Sequence, residues 1–347
     1  MKRLEIKMAR YLTRLAASWL LVILANYVVR GQSEASPPCA SEFLVGVTAP
    51  DGQLIRGLTT DSFNAFAKKQ PITISSVNYD RGERRIVLVV DRGTKMNDAA
   101  GVLAKATITK VLSNARSQDS FALISTGRNP LRLPFGLSPS DLLARFNSSD
   151  SHVGSDDKIG VLDAIAESSK WFQSPHRGDA LLVFSGDDDF RDSKAKFGKT
   201  LGTLREGGIR VFAMLFGYID LGTYYTFWTA PLHSPGLSSP LSGNLSRDTE
   251  DLNNLAYSTG GYLFVENTHN SLRQYKLSDD RTKEVTQMGW QLYGGAAETY
   301  VVRLSASTEV LDRLKVGLTA AVTDKVPRAV IVQSKSAVGC ASASPSR

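Results

Sequence analysis

Arg84-Arg85-Ile86-Val87-Leu88-Val89-Val90-Asp91 decides the fold. Five apolar residues run together with no polar alternation, so the strand they form has no wet face. Such strands belong to parallel sheets covered by helices on both sides. The run ends in a carboxylate, and a helical pattern from Ala99 to Ala115 follows.

The same alternation continues outward. Ser120 to Ser125 reads as a second strand and Lys158 to Phe172 as a helix, with Ile159, Leu162, Ile165 and Phe172 on one face. Ala180 to Ser185 is a third strand, Ser193 to Glu206 a helix stopped by Gly207-Gly208, and Ile209 to Phe216 a fourth strand. Thr249 to Ser258 is a helix stopped by Gly260-Gly261, and Tyr262 to Val265 is a fifth strand. Strands alternating with helices predict an α/β fold, a doubly wound and mostly parallel sheet. A further helix is expected from about Asn270 to Leu292.

Both flanks of this region read as β. Phe43 to Thr48 and Ile72 to Val77 are strand-like, and Leu58 to Phe63 is a short capped turn or helix. After the α/β region, Thr299 to Leu304, Leu314 to Thr323 and Ala329 to Val332 are strand-like. The expected divisions are 1–35 a leader, 36–82 an N-terminal β segment, 83–292 the α/β domain, 293–334 a C-terminal β segment and 335–347 a mobile tail. The two β segments are expected to form one module flanking the sheet. Residues 218–247 break the pattern: they are rich in Gly, Pro, Ser, Tyr and Trp, and a loop of that length is usually functional or disordered.

Charge excludes one class of partner. The chain of 347 residues carries a formal +7, but residues 1–35 account for +4 of it. The remaining 312 residues hold +3, too little for the basic stripe that phosphate backbones require. Nucleic acid is not an expected partner. The leader itself has a basic stretch from Lys2 to Arg14 and then an uncharged apolar run from Leu15 to Val29. That run is short of the roughly 20 residues a membrane-spanning helix needs, and Ser33-Glu34-Ala35 suits a small-x-small cleavage site. The reading is a signal peptide, with an uncleaved N-terminal anchor as the alternative, and Met1 or Met8 as the start. Either way the body is exported, to the periplasm or beyond, and it meets a membrane only through the leader if the leader stays. Two cysteines, Cys39 and Cys340, bracket the body, and an exported protein can bridge them. Two unpaired thiols are the other possibility.

A strand ending in Asp91 and followed by a helix resembles the start of a von Willebrand factor A domain. Asn253-Asn254-Leu255-Ala256-Tyr257-Ser258-Thr259-Gly260-Gly261 is similar to the Leu-Ala-x-x-Thr-Gly-Gly of that family's last helix and strand, and Leu204 to Ala213 is similar to its preceding strand. Pro50 to Thr59 followed by Phe63 resembles the leading β segment of the exported VWFA-related proteins common in acidobacteria. The resemblance implies a divalent-ion site at the C-terminal edge of the sheet, with the pattern Asp-x-Ser-x-Ser, a distant Thr and a further Asp. Hard cations such as Mg²⁺ or Mn²⁺ need such oxygen ligands. Here Asp91 stands, but the serine positions are Gly93 and Lys95, the Thr position is Ile159, and the second Asp position is Gly186, beside Asp187. The implied site is degenerate and metal-free, with Lys95 either replacing the cation's charge by a salt bridge to Asp91 or pointing to solvent from a loop. A site rebuilt by Asp91, Asp187 and their neighbours is the alternative, and it would take Mg²⁺ or Mn²⁺.

Other motifs carry less. Ser193 to Thr200 lacks the first glycine of a phosphate-binding loop and stands away from its strand. Asp187-Asp188-Asp189 fits a polar strand-to-helix loop, where acidic residues favour the helix N-terminus. His152, His176, His233 and His269 lack the i, i+4 spacing of a zinc helix, and no Gly-x-Ser-x-Gly elbow is present. No catalytic residue is assigned, and a carboxylate-based hydrolase near Asp187 is the remaining enzymatic alternative. Tyr224, Tyr225, Phe227 and Trp228 form an aromatic stretch that either anchors a protein interface or packs onto the α/β domain or its β neighbour. The expected function is therefore non-enzymatic binding of a protein or peptide outside the cytoplasm.

Overall fold

The structure is a computed structural model. It describes residues 41–49, 52–93, 96, 98–127, 130–149, 159–186, 190, 193–217, 227–229, 247–267, 279–305, 314–327 and 329–334, all within the unit 41–347. The strands are β1 (Ser41–Thr48), β2 (Phe63–Ala67), β3 (Gln70–Pro71), β4 (Ile74–Asp80), β5 (Arg85–Val90), β6 (Ser120–Ser125), β7 (Arg132–Leu133), β8 (Ala180–Gly186), β9 (Arg210–Gly217), β10 (Phe227–Thr229), β11 (Leu263–Asn267), β12 (Thr299–Leu304), β13 (Leu314–Leu318) and β14 (Val330–Gln333). The helices are α1 (Asp98–Ser113), α2 (Pro139–Ser148), α3 (Val161–Ser168), α4 (Phe197–Glu206), α5 (Arg247–Thr259), α6 (Asp279–Ala297) and α7 (Ala320–Thr323).

The central sheet runs β10-β11-β9-β8-β5-β6-β7. Its five inner strands are parallel, and a short antiparallel strand closes each edge. Alternate residues of β5 serve opposite faces. Ile86, Leu88 and Val90 pack with α1, α2 and α6, whereas Val87 and Val89 pack with α3, α4 and α5. Burying such a side chain from water contributes about 1.5–3 kcal/mol, which is why this strand has no polar position. The sheet is doubly wound, as the alternation of strands and helices predicts.

In chain order the parallel strands lie 2-1-3-4-5, so the winding reverses between β5 and β8. Helix α1, which follows β5, covers one face, and α4, which follows β8, covers the other. In such sheets the C-terminal ends of the strands at the reversal are the usual ligand position.

The flanking β elements come from both ends of the unit. One antiparallel sheet runs β14-β1-β12-β4 and a second runs β13-β2-β3. Phe43, Val45, Tyr300 and Val302 of the first pack against Phe63, Ala65 and Val316 of the second. Several local readings need correction. Ala320–Thr323 is a helical turn, not the end of a strand, with Thr319 extended before it. Phe63–Ala67 is a strand, although it follows the expected turn directly. Helix α2 and β7 had no counterpart in the sequence reading. Within the expected 218–247 loop, Phe227–Thr229 pairs with Leu263–Val265 as an edge strand.

The opposite, N-terminal edge of the central sheet holds buried charge. Asp179 accepts from Arg85 Nε and Nη2 at 2.8 and 2.6 Å, and Asp119 accepts from Arg116 and from the Tyr293 hydroxyl. Arg210 is fully buried and donates to the carbonyls of Gly295 and Ala296 at the end of α6. Cationic donors suit that negative helix end, yet burial, with the Arg84 charge nearby, pulls the Arg210 guanidinium down to about 9. These contacts fix where α6 hands the chain to β12.

Candidate functional site

Asp91 follows β5 directly, and its backbone N–H donates to Phe184 O on β8 at 2.8 Å. Sheet pairing therefore holds the residue in place at the reversal point, where it is 2% exposed. Its carboxylate is heavily engaged. Oδ1 accepts from the Gly93 N–H at 2.7 Å and from the Thr126 hydroxyl at 2.6 Å, and Oδ2 accepts from the Gly186 N–H at 2.9 Å. Thr126 Oγ1 in turn accepts from the Arg92 N–H at 2.9 Å, which fixes the direction in which the hydroxyl donates. Thr126 itself stands one residue past β6, beside Asp91, because β5 and β6 pair Val90 with Ser125.

The rim is tied from the other side. Gly127 bridges to Ile159, and Ile159 packs against the core beneath the site. The Asp163 carboxylate accepts from Gly160 N at the start of α3, and from Lys194 N and Ala195 N at 3.1 and 2.7 Å. One side chain thereby caps a helix and anchors the segment leading to α4.

Beside Asp91 a cavity of about 360 Å³ opens between α1 and α2. Asp91, Arg92, Met96, Lys105, Phe146 and Ser149 are among its lining residues. The Arg92 guanidinium lies 4.9 Å from the Phe146 ring centroid and donates to the carbonyls of Phe146 and Ser149. Burial lowers its proton affinity.

Of the sequence-predicted positions, Asp91, Gly93 and Gly186 meet at one carboxylate, and Ile159 lies at the adjoining bridge. Lys95, Asp187, Tyr224, Tyr225, Cys39 and Cys340 lie outside the described residues. Phe227 and Trp228 are described as backbone of β10 only. Sequence reasoning missed Thr126, Arg92 and Asp163. The available signal for Thr126 was its position, a hydroxyl one step beyond a strand that neighbours the Asp91 strand.

A metal ion does not fit the described donor set. Gly93, Gly186 and Ile159 offer no side-chain oxygen. Both lone-pair directions of Asp91 Oδ1 and one of Oδ2 already meet protein donors. Among the described residues there is no group of three or more His, Cys, Asp or Glu side chains placed to hold a metal. Among the described residues no histidine stands at this edge of the sheet. His176 is at the other edge of the sheet, where its backbone donates to Asp179.

No protein-family profile and no curated protein sequence matches the chain. Solved structures do resemble it in part. An aerotolerance-related membrane protein from Bacteroides fragilis aligns at 15% identity over 60% of this chain and 98% of that one, with a TM-score of 0.39. Proximal thread matrix protein 1 of the mussel byssus, solved with a zinc-occupied MIDAS motif, aligns at 13% identity over 67% of this chain and 50% of that one, with a TM-score of 0.41. The SpRpn10 VWA domain aligns at 10% identity over 59% of this chain and 94% of that one, with a TM-score of 0.38. Among the described residues, no helix is long and apolar enough to cross a membrane.

Proposed function

We propose that this chain is an exported, non-enzymatic protein of the von Willebrand factor A type. In this reading it binds another protein or peptide outside the cytoplasm through the C-terminal edge of its central sheet, without a metal ion. The observation that carries the metal-free reading is the state of Asp91. Its carboxylate is taken up by Gly93, Thr126 and Gly186 rather than left open toward a cation. The doubly wound topology supports the type, and the leader at 1–35 supports export. Tyr224, Tyr225, Phe227 and Trp228 are assigned to the partner surface on composition.

A Cys39–Cys340 disulfide belongs to the same proposal. It rests on the sequence: the body of an exported protein carries two cysteines, one near each end, and such a compartment permits their pairing. Non-reducing peptide mapping of secreted material should recover the linked peptides, and two free thiols would remove the bridge from the proposal.

The deciding test is a thermal melt of the full chain in Mg²⁺, Mn²⁺, Ca²⁺ or EDTA. A cation at 100 times its dissociation constant stabilises by roughly 2.7 kcal/mol, which is several degrees for a chain of this size. The expected result is superimposable melts. A cation-dependent shift that Asp91→Ala abolishes would sink the metal-free reading.

A further inference from the structure

Arg92 is a half-buried cation with no bonded anion among the described residues. Its hydrogen bonds go to two carbonyl oxygens, and no carboxylate pairs with it among the described residues. Two of its five N–H groups are used in this way, leaving three without an acceptor among the described residues. Desolvated guanidinium groups are ordinarily paired, because burying the charge alone is costly. The cation–π contact with Phe146 and the α2 carbonyls offset part of that cost and hold the group still. They do not neutralise it. The unused donors belong to a residue that lines the cavity of about 360 Å³, and Lys105 on α1, exposed to solvent, stands on its wall. Asp91 is the acidic residue in that lining, and its oxygens are turned to Gly93, Thr126 and Gly186.

We infer that this cavity takes a carboxylate side chain of an acidic peptide segment, with Arg92 as its principal contact and Lys105 as a second cation. A carboxylate matches the planar fork of a guanidinium in two parallel hydrogen bonds. The cavity has room for one side chain rather than for a folded surface. The Phe146 ring and Met96 supply apolar wall for its methylene stem. This inference deepens the binding proposal by naming the chemistry of the ligand, and it needs no cation.

The test is an NMR titration of the ¹⁵N-labelled full chain with three probes: a capped tripeptide bearing a central glutamate, its glutamine counterpart, and inorganic phosphate. The glutamate peptide should produce saturable shifts at the amides of Gly93, Phe146 and Ser149, weakened by added salt, and the glutamine peptide should produce none. Arg92→Gln should weaken binding by about tenfold or more. Lys105→Glu, at an exposed position that leaves the helix cap intact, should weaken it as well and guards against a folding defect in the first variant. Equal shifts with both peptides, or unchanged affinity in both variants, would overturn the inference. Phosphate binding tighter than the glutamate peptide would overturn the peptide assignment. Cation-insensitive melts together with no glutamate binding would leave the metal-free reading standing while this one fails.

Discussion

Gly178 lies flat against the side chain of Arg84: a Cβ at Gly178 would sit 2.4 Å from Arg84 Cδ and 2.6 Å from its Nε. Arg84 is 1% exposed and is held by Asp80, so it has nowhere to retreat. Gly178 also has φ +91°, a region that residues with a Cβ avoid. Gly178→Ala therefore combines overpacking with backbone strain and should cost about 3 kcal/mol or more. Gly57→Ala is the control, with φ +77° and nothing within 4 Å of the added carbon. It should cost about 1–2 kcal/mol. Urea unfolding of both variants separates the clash from the strain, and equal losses would contradict the packing argument.

Asp91 should matter for stability whether or not any ion is present. Asp91→Ala strands the Gly93 and Gly186 N–H groups and the Thr126 hydroxyl, and each stranded buried donor costs about 1–3 kcal/mol. The expected loss is about 3 kcal/mol or more in EDTA, measured by urea unfolding. Asp91→Asn keeps one acceptor oxygen and should lose about half as much. A fully stable Asp91→Ala would mean that the three donors have other acceptors.

Asp163 binds two segments, so its loss should be felt on both. Asp163→Ala should destabilise by about 1–2 kcal/mol. It should also speed hydrogen exchange at the Ala195 amide, which now donates to the carboxylate at 2.7 Å. A stability loss with unchanged exchange at Ala195 would confine the role of Asp163 to capping α3.

Alkaline pH should weaken the fold through Tyr79 and Tyr293. Burial, with hydrogen bonds to Glu298 and Asp119 respectively, pushes both phenols up to about 12. The unfolded chain releases these protons near pH 10. Between the two values the folded state holds protons that the unfolded state has lost, so stability falls as pH rises from about 10 to about 12. The change in melting temperature across that window should be more negative in the parent chain than in the Tyr79→Phe, Tyr293→Phe double variant, whose other titrating groups, Arg210 included, are the same. Phenolate absorbance that titrates fully near pH 10 in the folded protein would contradict it.

Much of this was open to a reader of the sequence. The parallel strands announce themselves because burial on two faces leaves room only for apolar residues, as in Ile86 to Val90. Asp91 is legible for the same reason, a charge standing where the apolar run stops. Thr126 and Arg92 are not, because their roles depend on which strands become neighbours. Helix α2 is hard to read because only Leu142 and Phe146 of it are buried. Strand β2 was masked by the turn that immediately precedes it, and Ala320–Thr323 is too short to show a helical period.

The pairing of β1 with strands from the far end of the chain has a consequence in time. Leu44 donates to the Ser334 hydroxyl across 290 residues of sequence. At synthesis rates of about 5–20 residues per second, the later partner emerges on the order of 15–60 s after the earlier one. The five parallel strands, ending at Asn267, are all made before Thr299 exists. Throughout that interval Phe43, Val45 and Val47 have no sheet to join, so the newborn protein carries an open, apolar strand that the finished one conceals.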